Sequence, residues 1–596
     1  MEIADAMWLL PTTQRGGNME GSRTDFVVRL AGESGEGVLS LGEMLTTALA
    51  RLGYEVYTFR TYPAEIKGGT VLYQVRVADH VLLSYGSRVD VFVALNEEGY
   101  RDNIASLRAG GTLIYDSDNV PTHDLPNHRV IPVPIGTIAK ETGSILTKNM
   151  VALGVILRYL GAPVEAGEKI AEQTFKRKGE EVVQRNYQAL HAGYHYVSEH
   201  IDRWTPLLAG IDRGNPDRLI INGNEAIALG AIHAGVGVYA GYPITPATDI
   251  MEVLAPVLPR FGGVVIQAED EISSLGIVLG ASFAGKRAMT ATSGPGFSLM
   301  VEQINLAAQA EIPAVIVDVQ RGGASTGLPT KTSQGDLNIA LYGVHNESPR
   351  VVMAPTSVED CFYLIQHAFN IAERYQLPVI VLSDQSLAHR RCTIPKPDLA
   401  RVPRWERIMP DVSTNGHYAR YAITETGVSP MAIPGVPHKA YMSTGIEHNE
   451  WSDPTYTPEN LQAMKSKRFR KLQHLGEQYA EQFVRVWGEP EGADVGIIGW
   501  GSTEGVIREA IQLAQQEGVK AAALYPKMLM PLPVKCMEEF ASKVKRVLVP
   551  EKNFTGQFAA YLRSQTNIEP FSYAKDTGLP FDPEEIKEEI IRVARM

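Results

Sequence analysis

Apolar runs alternate with amphipathic stretches over residues 26–200. The run FVVRLAG predicts a buried strand ending in glycine, and GVLSLGEMLTTALARLG predicts an amphipathic helix with a C-terminal glycine stop. Further apolar runs predict five strands: YEVYTF, TVLYQVRVA, VDVFVAL, GTLIYD and RVIPVPI. Helical patterns around 144–160 and 166–198 close this first unit. Because strands alternate with helices, we assign residues 1–208 to an α/β domain with a largely parallel sheet.

The same alternation returns twice further along the chain. The polar stretch AGIDRGNPDR predicts a linker at 209–218. Residues 219–395 and 493–596 then repeat the order strand, helix, strand. Between them the period is lost from residue 396 and Pro, Tyr, His and Asn increase, so 396–492 are predicted to form a long irregular connection packed on the domains. The predicted fold class is therefore multidomain α/β.

Composition and charge narrow the classes of function. The chain has 596 residues and a formal net charge of −12, with no block of Lys or Arg, which argues against nucleic acid as a partner. No apolar run reaches membrane-spanning length, and the start MEIADAMWLLPTTQ lacks the basic region of a signal peptide. We therefore expect no contact with a membrane and a cytoplasmic location.

The number and spacing of the cysteines also limit the kinds of disulfide and metal site that this chain could form. Cys361, Cys392 and Cys536 are far apart in the sequence, and no CxxC occurs. This pattern argues against a disulfide framework, a Cys-rich zinc site or an iron–sulfur cluster held by this chain alone.

The stretch GYPITPATDI, residues 241–250, stands where a predicted strand passes into a predicted helix. Proline fixes φ and disfavours helix in the residue before it, so Pro243 and Pro246 make Ile244 and Thr245 part of a stiff, extended turn. One interpretation is a rigid βα turn in which Thr245 caps the next helix. The other is a loop that presents Thr245 to a ligand.

Residues 267–300, QAEDEISSLGIVLGASFAGKRAMTATSGPGFSLM, place acids at the start of a helix rich in small residues. Glycine inside a helix costs about 1 kcal/mol relative to alanine, so Gly276 and Gly280 predict close packing, most simply of this helix on the sheet. Glu271 and its neighbour Glu269 are alternative candidates for a functional acid. A carboxylate at a helix N-terminus is also simply favourable dipole placement.

Four motifs in one order resemble a known family. An acid followed nine residues later by Gly-Ala, as at Glu271, resembles the pyrimidine-binding domain of thiamine diphosphate enzymes. With GNEAIALGA (223–231), YPITP (242–246) and RGGASTGLPTKTSQGDL (321–337), the chain resembles the α subunit of 2-oxoacid:ferredoxin oxidoreductases. The C-terminal unit, 493–596, resembles the transketolase C-terminal domain.

The 2-oxoglutarate branch of that family carries a γ domain fused in front of the α part. GESGEGV (32–38) and AEIKGGTVLYQVRVA (64–78) resemble this γ domain, so the resemblance runs from about residue 26 to the C-terminus. Lys67 stands where the family often has arginine, and we assign it no catalytic role.

The resemblance implies which residues contact the cofactor. It places the Glu271 carboxyl on N1′ of the aminopyrimidine of thiamine diphosphate, with Glu269 as the competing acid. It places Tyr242, Pro243 and Ile244 beside the thiazolium. A buried acid suits the first role, because only a partly desolvated carboxyl shares a proton with a weakly basic ring nitrogen.

The resemblance also implies substrate contacts. It places Arg321 on the carboxylate of the 2-oxo acid, with Thr245 and Thr330 adding hydrogen bonds. Arg321 follows the predicted strand PAVIVDVQ, at the sheet edge where ligands bind, and its planar fork matches a carboxylate. The alternative is an ordinary arginine paired with a nearby acid. The charge of Lys331 suits a second carboxylate.

The turn GESGEGV has glycines and free N–H groups at a helix start, as a phosphate-binding turn does. By resemblance the γ domain helps to bind coenzyme A, and the candidate residues are Gly32, Ser34, Gly35 and Gly37. Glu33 and Glu36 would repel a phosphate, and there is no Walker lysine. A tight βα turn at a domain interface is the equal alternative.

Two features of the family are missing from the sequence. There is no Gly-Asp-Gly motif for the Mg²⁺-bound diphosphate, and there are no cysteines for a [4Fe–4S] cluster. The resemblance therefore implies a β subunit that supplies Mg²⁺, the cluster and half of the thiamine diphosphate site, in an α₂β₂ assembly. We assign no metal to this chain. His448, Asn449 and Glu450 could hold one, but a hydrogen-bonded surface loop is the expected alternative.

The implied activity is oxidative decarboxylation of 2-oxoglutarate with coenzyme A to succinyl-CoA and CO₂, or the reverse, with ferredoxin as electron carrier. One alternative is a related subunit for pyruvate or branched-chain 2-oxo acids. A second is a non-catalytic scaffold of the same fold. Retention of Glu271, Thr245 and Arg321 argues against the scaffold.

Overall fold

A computed structural model describes residues 24–63, 69–121, 125–214, 217–413 and 418–596. Lys67 therefore lies outside the described residues. Sheets of eight, seven and five strands organise the described chain, each surrounded by helices. This arrangement confirms the predicted multidomain α/β class. No helix in these ranges combines the length and the apolar character that a bilayer span requires.

The first unit forms most of the eight-stranded sheet. Its elements are β1 Asp25–Glu33, α1 Val38–Arg51, β2 Glu55–Thr61, β3 Thr70–Ala78, β4 Val89–Ala94, α2 Glu97–Asn103, β5 Leu107–Asp116, β6 Arg129–Val133, α3 Ile135–Glu141, α4 Lys148–Leu160, α5 Val164–Phe175 and α6 Glu180–His200. Helices α1 and α4 to α6 bury the main core against the sheet.

This sheet is mixed, and the prediction of a largely parallel sheet is wrong. Strands β1, β4, β5 and β6 pair in parallel, but β3 pairs antiparallel with both β1 and β2. Only residues 62–69 connect β2 to β3. A parallel crossover needs a dozen or more residues, so this short connection forces an antiparallel pair.

The second unit supplies six strands of the seven-stranded sheet. Its elements are β7 Arg218–Ile221, α7 Gly223–His233, β8 Val238–Gly241, α8 Thr248–Val257, β9 Val264–Gln267, α9 Glu271–Phe283, β10 Ala288–Thr292, α10 Gly294–Gln309, β11 Ala314–Gln320, α11 Leu337–Tyr342, β12 Val351–Met353, α12 Val358–Tyr375, β13 Pro378–Asp384, α13 Gln385–His389 and β14 Cys392–Pro395. Strands β12-β13-β11-β10-β8-β9 lie side by side, all parallel. Their carboxyl ends therefore meet along one edge.

Two strands of the second segment leave that sheet and extend the first one. Strand β14 pairs antiparallel with β2 at Cys392 and Tyr57, and β7 pairs antiparallel with β14. The segment 219–395, which we assigned to a separate domain, thus shares a sheet with the N-terminal unit. This sharing fixes the first unit beside the carboxyl edge of the second sheet.

The remaining elements are α14 Pro458–Tyr479, β15 Val484–Trp487, β16 Val495–Ile498, α15 Glu504–Gln516, β17 Ala521–Pro526, β18 Met528–Met530, α16 Val534–Lys543, β19 Val547–Glu551, α17 Gln557–Gln565, β20 Phe571–Ala574 and α18 Pro583–Ala594. The five-stranded sheet has the order β15-β17-β16-β19-β20. Strand β18 leaves it and pairs antiparallel with β12 of the second sheet.

Helix α14 and β15 fall within the predicted irregular connection, which is therefore shorter than expected. The helix escapes a hydrophobicity pattern because its buried side chains include Lys467, Arg468 and Lys471. Lys467 and Lys471 enclose the fully buried carboxylate of Glu311, with Lys467 Nζ 2.6 Å from Oε1. Arg420 donates to the Glu311 carbonyl at 2.8 Å. Buried ion pairs, together with apolar contacts such as that of Leu475, fix this helix to the second unit.

Both faces of the second sheet are buried, as parallel sheets require. On β11, Val315, Val317 and Val319 enter one core, while Ala314 and Ile316 enter another. The second of these cores also includes apolar residues of the C-terminal unit. The C-terminal unit thus helps to bury this sheet.

Candidate active site

Two of the predicted site residues meet at the carboxyl edge of the second sheet. The loop with Thr245 follows β8, and Arg321 follows β11; only β10 separates these strands. Arg321 Nη1 donates to the Thr245 carbonyl at 2.7 Å, and Nη2 donates to the Thr326 carbonyl at 3.0 Å. The guanidinium is therefore held in place by backbone oxygens rather than by a carboxylate.

The loop 242–246 projects outward from this edge. Tyr242 is 42% exposed and Thr245 is also exposed, whereas Ile244 packs on the core. The buried side chain of Asn224 donates to the Pro246 carbonyl at 2.7 Å and fixes the turn. Helix α8 takes Ala247 as its N-cap, so the capping interpretation of Thr245 is wrong. Its side chain is available to a ligand.

Glu271 is the first residue of α9, and its side chain is only 5% exposed, whereas Glu269 is exposed. The N-cap is Asp270, which accepts from the Ser273 amide at 2.6 Å. A Cβ placed on Gly296 would lie 2.4 Å from Glu271 Oε1, so only glycine lets α10 approach this carboxyl. Across the described chain, no donor reaches the Glu271 carboxyl. It is a buried acid free to bind a ligand group.

The small residues of α9 do not pack as predicted. Gly276 and Gly280 lie on the exposed side of the helix. A Cβ on Gly280 would meet nothing within 4 Å, and one on Gly276 would make only ordinary contact with Gln303. The expectation of tight helix–sheet packing at these glycines is therefore wrong, because the sheet contacts the opposite side of the helix.

Thr330 and Lys331 join the Arg321 loop to the first unit. The Thr330 hydroxyl donates to the Tyr62 carbonyl at 2.7 Å, and Lys331 Nζ contacts the Thr61 hydroxyl. Burial lowers the pKa of Lys331. Both side chains fix the loop in place, and the Thr330 hydroxyl proton is already committed to Tyr62.

Sequence patterns missed two acids beside Arg321. Asp318 lies within β11 and is fully buried, and Asp336 precedes α11. Burial raises the pKa of Asp318 well above its usual range, and the neighbouring Asp336 adds to this effect. The signal was a charged residue inside the apolar run AVIVDVQ, which has no packing reason to be there.

Arg321→Lys is expected to raise the KM for a 2-oxo acid by about 10- to 100-fold, because an ammonium cannot replace a planar fork that bonds a carboxylate twice. Steady-state kinetics of the assembled enzyme measure this change. Arg374→Lys, at an exposed position in the last turn of α12, is the matched control. An unchanged KM in Arg321→Lys would remove Arg321 from the substrate site.

The candidate coenzyme A turn lies between β1 and α1 and contains Gly32, Ser34, Gly35 and Gly37. Its own side chain fills part of it: Glu36 Oε2 accepts from the Glu33 amide at 2.8 Å. That oxygen also lies 2.7 Å from where a Cβ on Gly32 would stand. The carboxylate thus already accepts from one of the N–H groups that an anionic ligand would need.

Glu36→Gln is expected to lower the KM for coenzyme A by about two- to fivefold, the scale of one partly exposed charge, if phosphate groups bind this turn. Glu33→Gln, at the exposed neighbouring acid, serves as control for general charge effects. Equal KM values in wild type and Glu36→Gln would favour the plain βα turn.

The group around His448 is a hydrogen-bonded loop, but His448 is fully buried rather than at the surface. Its Nδ1 lies 2.9 Å from the Ile446 carbonyl, and Glu450 accepts from the Ile423 amide at 2.7 Å. Within the described ranges, no three His, Cys, Asp or Glu side chains come together as a metal-binding group.

Three family models of known proteins match this chain, and they match three successive parts of it. The family model "Pyruvate ferredoxin/flavodoxin oxidoreductase" matches residues 27–196. "Pyruvate flavodoxin/ferredoxin oxidoreductase, thiamine diP-bdg" matches 229–467, and "Pyruvate:ferredoxin oxidoreductase core domain II" matches 493–577. The loop 242–246, Glu271 and Arg321 all lie within the thiamine diphosphate-binding model.

Relatives of similar length share this organisation. The 2-oxoglutarate oxidoreductase subunit KorA of Mycobacterium tuberculosis is 34% identical over 605 residues, covering 94% of this chain and 90% of the relative. Subunit alpha of 2-oxoacid:ferredoxin oxidoreductase 2 from Aeropyrum pernix is 31% identical over 630 residues, covering 96% and 98%.

A solved structure agrees across the whole fold. It is described as 2-oxoglutarate:ferredoxin oxidoreductase from Magnetococcus marinus with 2-oxoglutarate, coenzyme A and succinyl-CoA bound. It is 43% identical in sequence and has a TM-score of 0.91. The match covers 96% of this chain and 100% of the chain in that structure.

Fold and site together define a subunit of a thiamine diphosphate-dependent oxidoreductase. The chain belongs to the 2-oxoacid:ferredoxin oxidoreductase family, as an alpha-type subunit with an N-terminal domain of the γ type. The family predicted from the four motifs is confirmed. The relatives are named as subunits, so the enzyme is a multi-subunit assembly.

Proposed function

We propose that this chain is the alpha subunit of an enzyme that converts 2-oxoglutarate and coenzyme A to succinyl-CoA and CO₂, passing two electrons to ferredoxin, or catalyses the reverse. The observation that carries this proposal is the meeting of Arg321 and Thr245 at the carboxyl edge of the second sheet. The relative solved with 2-oxoglutarate, coenzyme A and succinyl-CoA supports the choice of substrates.

The chain's own residues fit one end of thiamine diphosphate. Glu271 offers a buried carboxyl with no other partner in the described chain, and Gly296 lets α10 approach it. Such an acid would hold a proton on N1′ of the aminopyrimidine. Tyr242, Pro243 and Ile244 would border the thiazolium. When bound, the cofactor supplies a nucleophilic carbon and an electron sink for decarboxylation.

Arg321 and Thr245 would orient the substrate. Two parallel N–H···O bonds from a guanidinium fix a carboxylate in one plane, and the exposed Thr245 hydroxyl adds a third contact. Fixing the carboxylate in this way aligns the C–C bond that breaks. Thr330 would contribute mainly by holding the loop that carries Arg321.

A partner is needed for the rest of the site. The sequence has no Gly-Asp-Gly motif, and its three cysteines are far apart in the sequence. We propose that a β subunit supplies the diphosphate site, Mg²⁺ and a [4Fe–4S] cluster, in an α₂β₂ assembly that reduces ferredoxin. The cytoplasmic location remains a prediction.

Co-expression with a β-type subunit tests this function. The complex, purified without oxygen, should reduce ferredoxin or a viologen dye only when both 2-oxoglutarate and coenzyme A are present. The chain alone should be inactive. Preference for pyruvate or branched 2-oxo acids would redirect the substrate assignment, and no turnover with any 2-oxo acid would favour a non-catalytic scaffold.

A further inference from the structure

Two carboxyl groups, one fully buried and one half-buried, form a pair beside Arg321. Asp318, on β11, is fully buried, and the Asp336 carboxyl lies within hydrogen-bonding reach of it. Neither Asp318 oxygen is bonded to an N–H or O–H donor of the described residues, and neither is Asp336 Oδ2. Buried oxygens of this kind require another explanation, since natural proteins satisfy nearly all such groups.

The side chain of Gln320 holds the backbone of Asp336 at the end of β11, the strand that carries Asp318. The Asp336 amide donates to Gln320 Oε1 at 3.1 Å, and Gln320 Nε2 donates to the Ser383 carbonyl at 3.0 Å. A Cβ on Gly294 would lie 2.9 Å from Asp336 Oδ2, so this oxygen sits against the first turn of α10. The pairing is therefore built into the end of β11 and does not depend on a mobile side chain.

One shared proton joins one oxygen of each acid and so accounts for two of the three unpartnered oxygens. Two buried carboxylates in contact cannot both stay charged, so one keeps its proton and donates it to the other. Burial raises the pKa of both acids, and Arg321 opposes this rise. The pair then carries one negative charge beside the single positive charge of Arg321.

Among the other charged groups of the described residues near the pair, none takes the place of Arg321 as the positive charge opposite it. The first turn of α10 contains no acidic residue, and Glu271 lies on the far side of that turn, against Gly296. Asp384, at the end of β13, accepts from the Leu387 amide at 2.9 Å and from a threonine hydroxyl. Lys331 is turned towards the first unit. Arg321 is thus the cation whose charge acts on the pair.

We propose that Asp318 and Asp336 are positioning residues: a proton-sharing acid pair that sets how strongly Arg321 binds the carboxylate of the 2-oxo acid. This inference rests on the proposed function of Arg321. With one shared proton, the pair balances Arg321 without competing for it. Loss of that proton adds a second negative charge. This charge attracts the Arg321 guanidinium away from the substrate and repels the substrate carboxylate. Substrate affinity should therefore fall as pH rises.

The KM for 2-oxoglutarate and kcat, measured in the assembled enzyme between about pH 6.5 and pH 9, test this inference. In wild type KM should rise on the order of tenfold across this range, while kcat changes far less. Asp336→Asn keeps a hydrogen-bond donor but allows only one negative charge, so its KM should stay within about twofold. Asp318→Asn should show the same flat profile.

Asp494→Asn, at a carboxylate of the C-terminal unit bonded to Lys545, should keep the wild-type profile. A wild-type slope in both pair variants would overturn the inference, provided they turn over 2-oxoglutarate. No turnover by the wild-type complex at any pH would instead overturn the proposed function.

A measurement on the wild-type complex needs no variant. Titration calorimetry with glutarate, which keeps both carboxylates but has no 2-oxo group to decarboxylate, in buffers of different ionisation enthalpy gives the protons exchanged on binding. Proton uptake at alkaline pH is expected, because affinity that falls with pH requires it. Binding without uptake there would overturn the acid-pair inference, whatever the variants do.

Discussion

Glu271→Gln is expected to lower kcat of the assembled enzyme by about 10²- to 10⁴-fold, the usual contribution of a positioned proton-holding group. The amide keeps the shape of the side chain beside Gly296 but cannot hold or release the proton on a ring nitrogen. Ferredoxin or viologen reduction with saturating 2-oxoglutarate and coenzyme A measures the loss. Far-ultraviolet circular dichroism should be unchanged.

Glu269→Gln is the matched control, because it removes an exposed acid two residues away on the same turn. Its kcat should stay within about twofold of wild type, as expected for an exposed surface change. If Glu269→Gln loses activity and Glu271→Gln does not, the two acids exchange roles. If neither variant loses activity, the cofactor assignment of this turn is wrong.

Glu311→Gln is expected to lower the free energy of unfolding by about 3–5 kcal/mol, since it leaves buried cations without their carboxylate. Burial alone would raise the pKa of Glu311, but Lys467, Lys471 and Arg420 outweigh it and hold this pKa well below its usual range. Urea unfolding, followed by fluorescence, measures the change. The substitution should loosen α14 from the second unit first.

The free energy of unfolding that Glu311→Gln loses should depend on pH in one direction. Burial lowers the pKa of Lys467 to about 8 and of Lys471 to about 7, even with Glu311 present. Without Glu311 both values should fall further. The unfolded lysines bind more protons than the folded ones, so variant stability should rise with pH. The gap between wild type and Glu311→Gln should therefore narrow from about pH 6 to about pH 9.

Glu347→Gln provides the comparison for an exposed ion pair on the same helix. Glu347 binds Lys465 of α14 at 3.0 Å but is largely exposed. Its loss should cost at most about 1 kcal/mol, because water screens the pair. Equal effects of Glu347→Gln and Glu311→Gln would show that the buried cluster contributes nothing beyond surface pairing.

Local patterns predicted the strands and the turn that carry the candidate site residues. Alternating apolar runs gave β8 and β11, and prolines on either side of Thr245 indicated its stiff turn. Both features are short-range consequences of side-chain period and fixed φ. Arg321 could be assigned to the carboxyl edge because it directly follows an apolar strand.

Contacts between distant segments could not be predicted in this way. The local sequences of β7, β14 and β18 do not indicate that each strand pairs with a strand of another unit. Pairing depends on which strand edge of a sheet is open. Helix α14 was missed because its buried face includes Lys467, Arg468 and Lys471 as well as apolar side chains. The two lysines can be buried there because they pair with Glu311.

Side-chain period and motif order are local properties of the chain, and they were enough to predict the α/β class, the order of the units and the family. The contacts of Thr330 and Lys331 with the first unit, and the pairing of Asp318 with Asp336 beside Arg321, could not be predicted from these patterns. Hydrogen bonds and shared protons act over a few ångströms, and folding alone brings residues so far apart in the chain within that distance.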